Sequence, residues 1–332
     1  MEFMKIKCEI VTPLLMHGAN GKNAELREQS FKGVMRFWWR AINGNLSLKE
    51  LKEKEAEIFG DTSKKSSFRM RIKNRNVSEI SYFKYKKELQ NKYGLKYLWY
   101  PIMIAKQKDT PWLIEKGSFE IEFYFKDEKS KSEIIKVLNY INFFGNFGAR
   151  SRRGAGSIKF ESDDLIKFTG NSKKKFREFI EDNFEKNTNE NYSTFVKEVY
   201  IFDSKKTWEE ALNYLGELFS NFRREHKGEF FKTLAFGVPI RRKKEVFLGV
   251  KEKGNNCEFL ERRASPLIFK VYKVNENTYF PLIIWLEGKL LRDGYKIGKK
   301  IKKCKENELK EVDESLIKKF FNSLKKGSYV KW

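Results

Sequence analysis

The chain has 332 residues, of which 40% are hydrophobic and 34% charged; that length suggests two domains, each able to bury its own core. Lys and Arg number 69 against 45 Asp and Glu, and the net charge of +24 points to a polyanionic partner, either nucleic acid or an anionic surface. No apolar run reaches the ~18 residues of a membrane span, and Cys8, Cys257 and Cys304 are too scattered for a disulfide framework or, with only His17 and His226, for a zinc site.

A reducing, cytoplasmic setting is therefore expected, with no metal, no cofactor and no small-molecule substrate. In chain order, KIKCEIVTPLL at 5–15 alternates as a strand and stops near Pro13. A loop with glycine and asparagine follows. SFKGVMRFWWRAI reads as a helix over 30–42 capped by Ser30, with Phe31, Val34, Met35, Trp38 and Ile42 on one face. SLKELKEKEAEIFG is a second helical stretch ending at Gly60, and SSFRMRIK is a strand.

Residues 78–96 are mixed and lysine-rich and read as an insertion, part of a longer inserted region over 61–117. YLWYPIMI at 97–104 and SFEIEFYF at 118–125 read as strands, SEIIKVLNYINFFG as a helix, and GSIKFE as a strand. The order is that of a ferredoxin-like unit, the scaffold shared with RNA recognition motifs. ESDDLIKFTG, a short charged helix KKKFREFIEDNF and the polar EKNTNENYS mark a linker. TFVKEVYIF, a long helix from Thr207 to His226, the strands FLGV, SPLIFKVYKV and TYFPLIIWLEG, and the helix ESLIKKFFNSL then follow in a similar order. The expected fold is α+β. It comprises two ferredoxin-like domains with antiparallel sheets, at 1–160 (with insertions) and 193–332, joined by a linker at 161–192.

Three basic constellations stand out. Lys32, Arg36 and Arg40 recur at i, i+4, i+8, so they share one narrow arc of the helix over 30–42 and repel one another unless an anion lies against them. Trp39 borders that arc, where it would stack on a base, whereas Trp38 falls on the apolar face. The stretch FFGNFGARSRRGAGSIKF sets Gly145, Gly148, Gly154 and Gly156 among Arg150, Arg152 and Arg153. Glycine permits positive φ and close approach of the backbone to a ligand, and guanidinium binds phosphate. The stretch precedes a strand and has no G-K-[ST] ending, so it is neither a P-loop nor a dinucleotide fingerprint. ERRASPLIFK places Arg262, Arg263 and Ser265 at the head of a strand.

His17 lies in the loop after the first strand and is the natural general acid or base, but no second histidine or carboxylate pair is near it in sequence. No nucleophile–base or metal-nuclease pattern is present. An enzyme is not expected.

IVTPLLMHGAN, LREQSFKGVMRFWWRA, EAEIFGD, FGARSRRGAGSI and RRASPL, in that order between residue 10 and about 269, resemble the first-numbered subunits of the Cmr complex, the type III-B CRISPR effector, within the RAMP superfamily. The resemblance implies two ferredoxin-like domains and a non-catalytic RNA-binding subunit in antiviral defence. Its implied partners are guide RNA near its 3′ part, target RNA and the other Cmr subunits. It carries RNA contact to Lys32, Arg36 and Arg40, to Gly148, Arg150, Arg152, Arg153, Gly154 and Gly156, and to Arg262, Arg263 and Ser265; His17 and Trp39 are added from their own chemistry. At the loop start a Gly-Gly pair is expected, and the chain has GNFG, with Asn146 tolerating the positive φ. Two other readings compete: a metal-independent endoribonuclease that uses His17 on guide RNA, and an adaptor whose basic faces dock only on protein.

Overall fold

The computed structural model describes residues 2–107, 110–185, 194–242, 244–253, 256–260, 262–288, 290–291, 293–300, 309–324 and 329–331. The first half runs β1 (Glu2–Ile10), α1 (Glu28–Ile42), α2 (Leu48–Phe59), β2 (Phe68–Ser81), then short helices α3 (Tyr82–Tyr85), α4 (Tyr93–Leu98) and α5 (Tyr100–Met103). It continues with β3 (Trp112–Phe125), α6 (Glu128–Phe144) and β4 (Ile158–Glu161). Its antiparallel sheet has the order β2-β3-β1-β4. Alternation dictates the sheet's faces: Met4, Ile6, Cys8 and Ile10 of β1 and Phe119, Ile121, Phe123 and Phe125 of β3 are buried, and their neighbours in the strands are more exposed.

After α7 (Lys173–Asn183) the second half runs β5 (Thr194–Phe202), α8 (Trp208–Glu225), α9 (Phe230–Thr233), β6 (Ile240–Arg242), β7 (Glu245–Lys253) and β8 (Asn256–Leu260). It ends with β9 (Leu267–Asn275), β10 (Thr278–Glu287), β11 (Lys296–Lys299), α10 (Ser315–Leu324) and β12 (Tyr329–Lys331). Its main sheet is β12-β5-β10-β9, again antiparallel. A smaller sheet is built on β7, which pairs with β6, β8 and β11. The chain is therefore a mixed α and β protein with antiparallel sheets.

Helix boundaries follow their caps. Ser47 and Glu50 form a reciprocal capping box at α2, Asp127 accepts from the Ser130 amide at 2.8 Å at α6, and Thr207 accepts from the Glu210 amide at α8. The expected Ser30 cap is corrected: α1 starts two residues earlier at Glu28, after Arg27, whose side chain caps nothing. The strand expected over 97–104 is also corrected. It is helical, because Leu95, Leu98, Trp99 and Ile102 are buried at helical spacing, and Pro101 fits the first turn of α5.

The second sheet is buried on both faces. One face gives Val199, Ile201, Ile268, Tyr272, Phe280 and Ile284 to a core shared with α1, α6 and α7; there Phe143 stacks on Tyr272 with ring centroids 4.6 Å apart. The other face gives Tyr200, Phe202, Leu267, Phe269 and Val271 to a core with α4, α5, α8 and α10. The helices α1 and α6 thus lie between the two sheets, and α7, in the segment read as a linker, buries Phe176 and Ile180 there. Of that segment, residues 186–193 lie outside the described residues. Cys8 is free and buried, while Cys257 on β8 is disulfide-bonded. This corrects the expectation that the cysteines are too scattered to pair, because distance along a chain does not report distance in the fold.

Candidate nucleic-acid interface

The glycine- and arginine-bearing loop, residues 145–157, is folded tightly on itself and on both halves. Gly148, Gly154 and Gly156 have φ near +77°, +77° and +73°. A Cβ on them would lie 2.6 Å from the Leu15 carbonyl oxygen, 2.3 Å from Leu212 and 2.0 Å from the Phe147 carbonyl oxygen. The expectation that these three glycines open the backbone to a ligand is therefore corrected: each admits another part of the chain itself. Asn146 is not left-handed as the sequence suggested. Its side chain donates to the Ser151 and Phe269 carbonyl oxygens at 2.7 and 2.8 Å and accepts from the Ser157 hydroxyl at 2.6 Å. The left-handed residue is Arg150, at φ +59°.

This folding aims the arginines at the junction between the halves. Arg152 donates to the Ser265 carbonyl oxygen at 2.6 Å and lies over the Phe37 ring, 5.0 Å from its centroid. Arg153 donates to the Ser265 hydroxyl at 3.3 Å and lies over Phe219 and Phe269. Arg223, near the end of α8, lies over the same Phe219 ring and over Phe236. Burial, with Arg263 and Arg153 adding repulsion, pulls the Arg152 guanidinium down to about 9; burial pulls Arg153 down to about 10. Both therefore stay charged at neutral pH. Arg150 is exposed and is lowered by desolvation and by the nearby charge of Arg262, which is itself exposed. Among the described residues, Arg150, Arg152, Arg153, Arg223 and Arg262 have no ion pair with a carboxylate.

Beside them lies a cleft of about 370 Å³, lined by Ser30, Gly33, Phe37, Gly148, Ser151 and Arg152 among others. His17 stands at the edge of the loop. Its Nε2 is 3.3 Å from the Tyr82 hydroxyl, and burial lowers its pKa, partly offset by a backbone hydrogen bond to Trp112. Tyr82 is buried, which raises its own pKa, against the nearby charge of Arg150.

The first basic constellation is elsewhere. Lys32, Arg36 and Arg40 face α2 and β2, not the loop. Lys32 lies over the Phe68 ring, and burial lowers its pKa. Arg36 bonds to the carbonyl oxygens of Phe59 and Gly60 and pairs with Glu55 at 3.3 Å; Arg40 pairs with Glu55 at 3.4 Å. The inference that this row lacks an internal anion is corrected: Glu55, nineteen residues beyond Arg36, supplies it. The position given to Trp39 is corrected as well. It is 2% exposed and donates through Nε1 to Glu133 at 2.9 Å, because α1 is covered on more than one side. A base cannot stack on it without opening the core. Trp38 is buried, in keeping with its place on the apolar face.

The structure thus brings together Arg150, Arg152, Arg153, Arg262, Arg263, Ser265 and His17, and leaves Lys32, Arg36 and Arg40 apart. Sequence reasoning missed Phe37, Phe219, Phe269, Tyr82 and Arg223. Arg223 carried a signal, as one of an arginine pair ending a long helix, and the aromatic rings carried none.

Comparison with known proteins follows the same lines. Residues 7–159, which hold the first sheet and the loop, match the model of the RAMP superfamily. In Pyrococcus furiosus, the CRISPR system Cmr subunit Cmr1-2 is 30% identical over 172 residues, covering 46% of this chain and 92% of that protein. Cmr1-1 of the same organism is 27% identical over 294 residues, 80% of this chain and 81% of that protein. The chain belongs to the Cmr1 family. The crystal structure of apo Cmr1 from Pyrococcus furiosus shares the fold with a TM-score of 0.66 at 19% identity, over 100% of this chain and 98% of that one. A chain in the cryo-EM structure of the type III-B Cmr-beta complex bound to cognate target RNA does so with a TM-score of 0.59 at 14% identity, over 98% of this chain and 99% of that one.

Proposed function

We propose that the chain is a non-catalytic, RNA-binding subunit of a type III-B CRISPR effector, built of two ferredoxin-like units and working in the cytoplasm. Its partners on this reading are the guide RNA near its 3′ region, the target RNA and the other Cmr subunits. The observation that carries the reading is the junction: five arginines converge between the halves and, among the described residues, no carboxylate neutralises them. Buried or crowded guanidinium groups without an internal anion repel one another, and a chain of phosphates removes that cost. Both sheets have the strand order in which the first strand lies beside the third and fourth, as in ferredoxin-like units.

Binding of single-stranded RNA titrated from ~50 to ~200 mM salt tests the proposal. Affinity should fall by orders of magnitude, and Arg150→Ala with Arg262→Ala should make the slope of log affinity against log salt shallower by about 1.4, ~0.7 for each of two lost phosphate contacts on a single strand. Affinity that ignores both salt and the substitutions overturns it.

The endoribonuclease reading has one observation in its favour, the 3.3 Å approach of His17 to the Tyr82 hydroxyl near Arg150. The expected result with repeat RNA is no product that depends on His17; a product lost in His17→Ala would replace the non-catalytic reading.

A further inference from the structure

The helices α4 and α5 have an outward face that the basic junction does not account for. Tyr93, Tyr97, Tyr100 and Ile104 are 52%, 36%, 60% and 58% exposed. Tyr93 and Tyr97, four residues apart, share one side of α4; Tyr100 starts α5 and Ile104 follows it, after a break in helical geometry at Trp99. The inward side holds Leu95, Leu98, Trp99 and Ile102, all buried. A helical segment that is apolar on both sides needs cover on both.

The inward side is covered by α8, and α8 also touches the outward side at Tyr93 and Tyr97, which keep 52% and 36% of their surface exposed. Gly94 comes so close that a Cβ there would lie 2.0 Å from the Asn213 carbonyl oxygen, and the Asn213 side chain accepts from the Gly94 amide at 2.9 Å. The segment is therefore fixed in place while its tyrosines face outward.

The tyrosines also connect to the arginines. Tyr97 meets Phe219 edge-on at 6.0 Å, and Phe219 is the ring that carries Arg153 and Arg223. Trp99 donates through Nε1 to the Arg153 carbonyl oxygen at 3.0 Å. Arg224 donates to the Tyr93 hydroxyl at 2.5 Å and lies over its ring. One exposed ring, Tyr93, thus lies directly under a cation, and a second, Tyr97, reaches Arg153 and Arg223 through Phe219. A partner that offers flat π-faces and negative charge together is a nucleic-acid strand. Residues i and i+4 of a helix have Cβ atoms about 5–6 Å apart, wider than the ~3.4 Å rise of a stacked strand. That spacing suits unstacked, unpaired bases; a duplex keeps its base faces covered.

We propose that Tyr93, Tyr97 and Tyr100 form a stacking platform for the bases of single-stranded RNA whose phosphates run along the arginine junction. The proposal rests on the RNA-binding reading above and assigns a role to the insertion between β2 and β3.

The test is fluorescence anisotropy with a labelled single-stranded RNA, an RNA duplex and an abasic strand of equal length, using the full chain. Replacing all three tyrosines by alanine should weaken single-strand binding by about 100-fold, roughly fivefold per lost base contact, with the salt slope unchanged. Binding of the abasic strand should not change, and phenylalanine at all three positions should keep affinity within about threefold. A melting temperature of the alanine variant close to that of the unaltered chain shows that the fold is retained. The phenylalanine variant gives an independent readout if it is not. If the alanine variant binds RNA normally while Arg150→Ala with Arg262→Ala loses affinity, the platform is overturned and the RNA reading stands. If the alanine variant keeps RNA affinity but no longer associates with other effector subunits, the face docks protein and the platform is again overturned. If the unaltered chain binds no RNA, both readings fall.

Discussion

The Asn146 side chain donates to the Phe269 carbonyl oxygen at 2.8 Å and so ties the loop of the first half to a strand of the second, 123 residues away. The same amide donates to Ser151 and accepts from Ser157. Asn146 is buried, so Asn146→Ala strands three groups away from water. The expected loss is about 3 kcal/mol, read as a lower urea midpoint at constant slope. A change below ~0.5 kcal/mol would mean that water replaces the amide there.

Two glycines should respond in opposite directions to alanine. At Gly156 the added Cβ would lie 2.0 Å from a backbone oxygen at φ +73°, so Gly156→Ala should cost about 3 kcal/mol or more. At Gly33, inside α1, nothing lies within 4 Å, so Gly33→Ala should stabilise by up to ~1 kcal/mol. Thermal melts of the two variants side by side check the sign.

Glu55 holds two cations, Arg36 and Arg40, in a setting that leaves it 9% exposed. Glu55→Gln should destabilise the fold by about 1–3 kcal/mol, the value of charge-assisted hydrogen bonds. Arg36→Ala should do likewise and should reduce RNA affinity less than Arg150→Ala with Arg262→Ala. Parallel denaturation and anisotropy titrations separate the two effects; equal losses of affinity would show that the α1 row also meets RNA.

Lys270 is 1% exposed at the junction, donating to the Gly145 carbonyl oxygen at 2.7 Å, and burial pulls its pKa from the ordinary 10.5 down to about 7. The folded state therefore binds this proton less tightly than the unfolded chain. Between about pH 7 and 10.5 the unfolded state holds more protons, so stability rises with pH across that window and is flat below it. The gain should reach a few kcal/mol by pH 10. Arg152 and Arg153 have the same sign, so the measurement is the difference between the unaltered chain and Lys270→Met in urea midpoints from pH 6 to 10. A difference independent of pH would show that Lys270 stays charged when buried.

Much of the fold was legible because it rests on local pattern. The alternation of β1, the strand reading of β3 and the helical readings of α6 and α8 are statements about neighbouring residues, and the chain obeys them. The segment over 97–104 was not legible, since a short apolar run fits a strand or a helix until packing shows which of its side chains are covered. The site divided in the same way. That Arg150, Arg152, Arg153, Arg262 and Arg263 are basic and lie beside glycine or at a strand head is plain in the sequence. That Arg36 and Arg40 are already paired is not, because their anion sits on another helix.

By itself the sequence determined the strongly basic balance, the order of the principal strands and helices and the presence of an arginine-bearing loop before β4. Those follow from composition and from contacts within a few residues. Only the tertiary structure decided where the loop's glycines point and which arginines lack an anion. Packing α1 and α6 between two sheets buries Trp39 and turns Gly148, Gly154 and Gly156 onto the chain's own atoms. It also carries Arg152 and Arg153 to Ser265, a meeting across more than a hundred residues that no local pattern encodes.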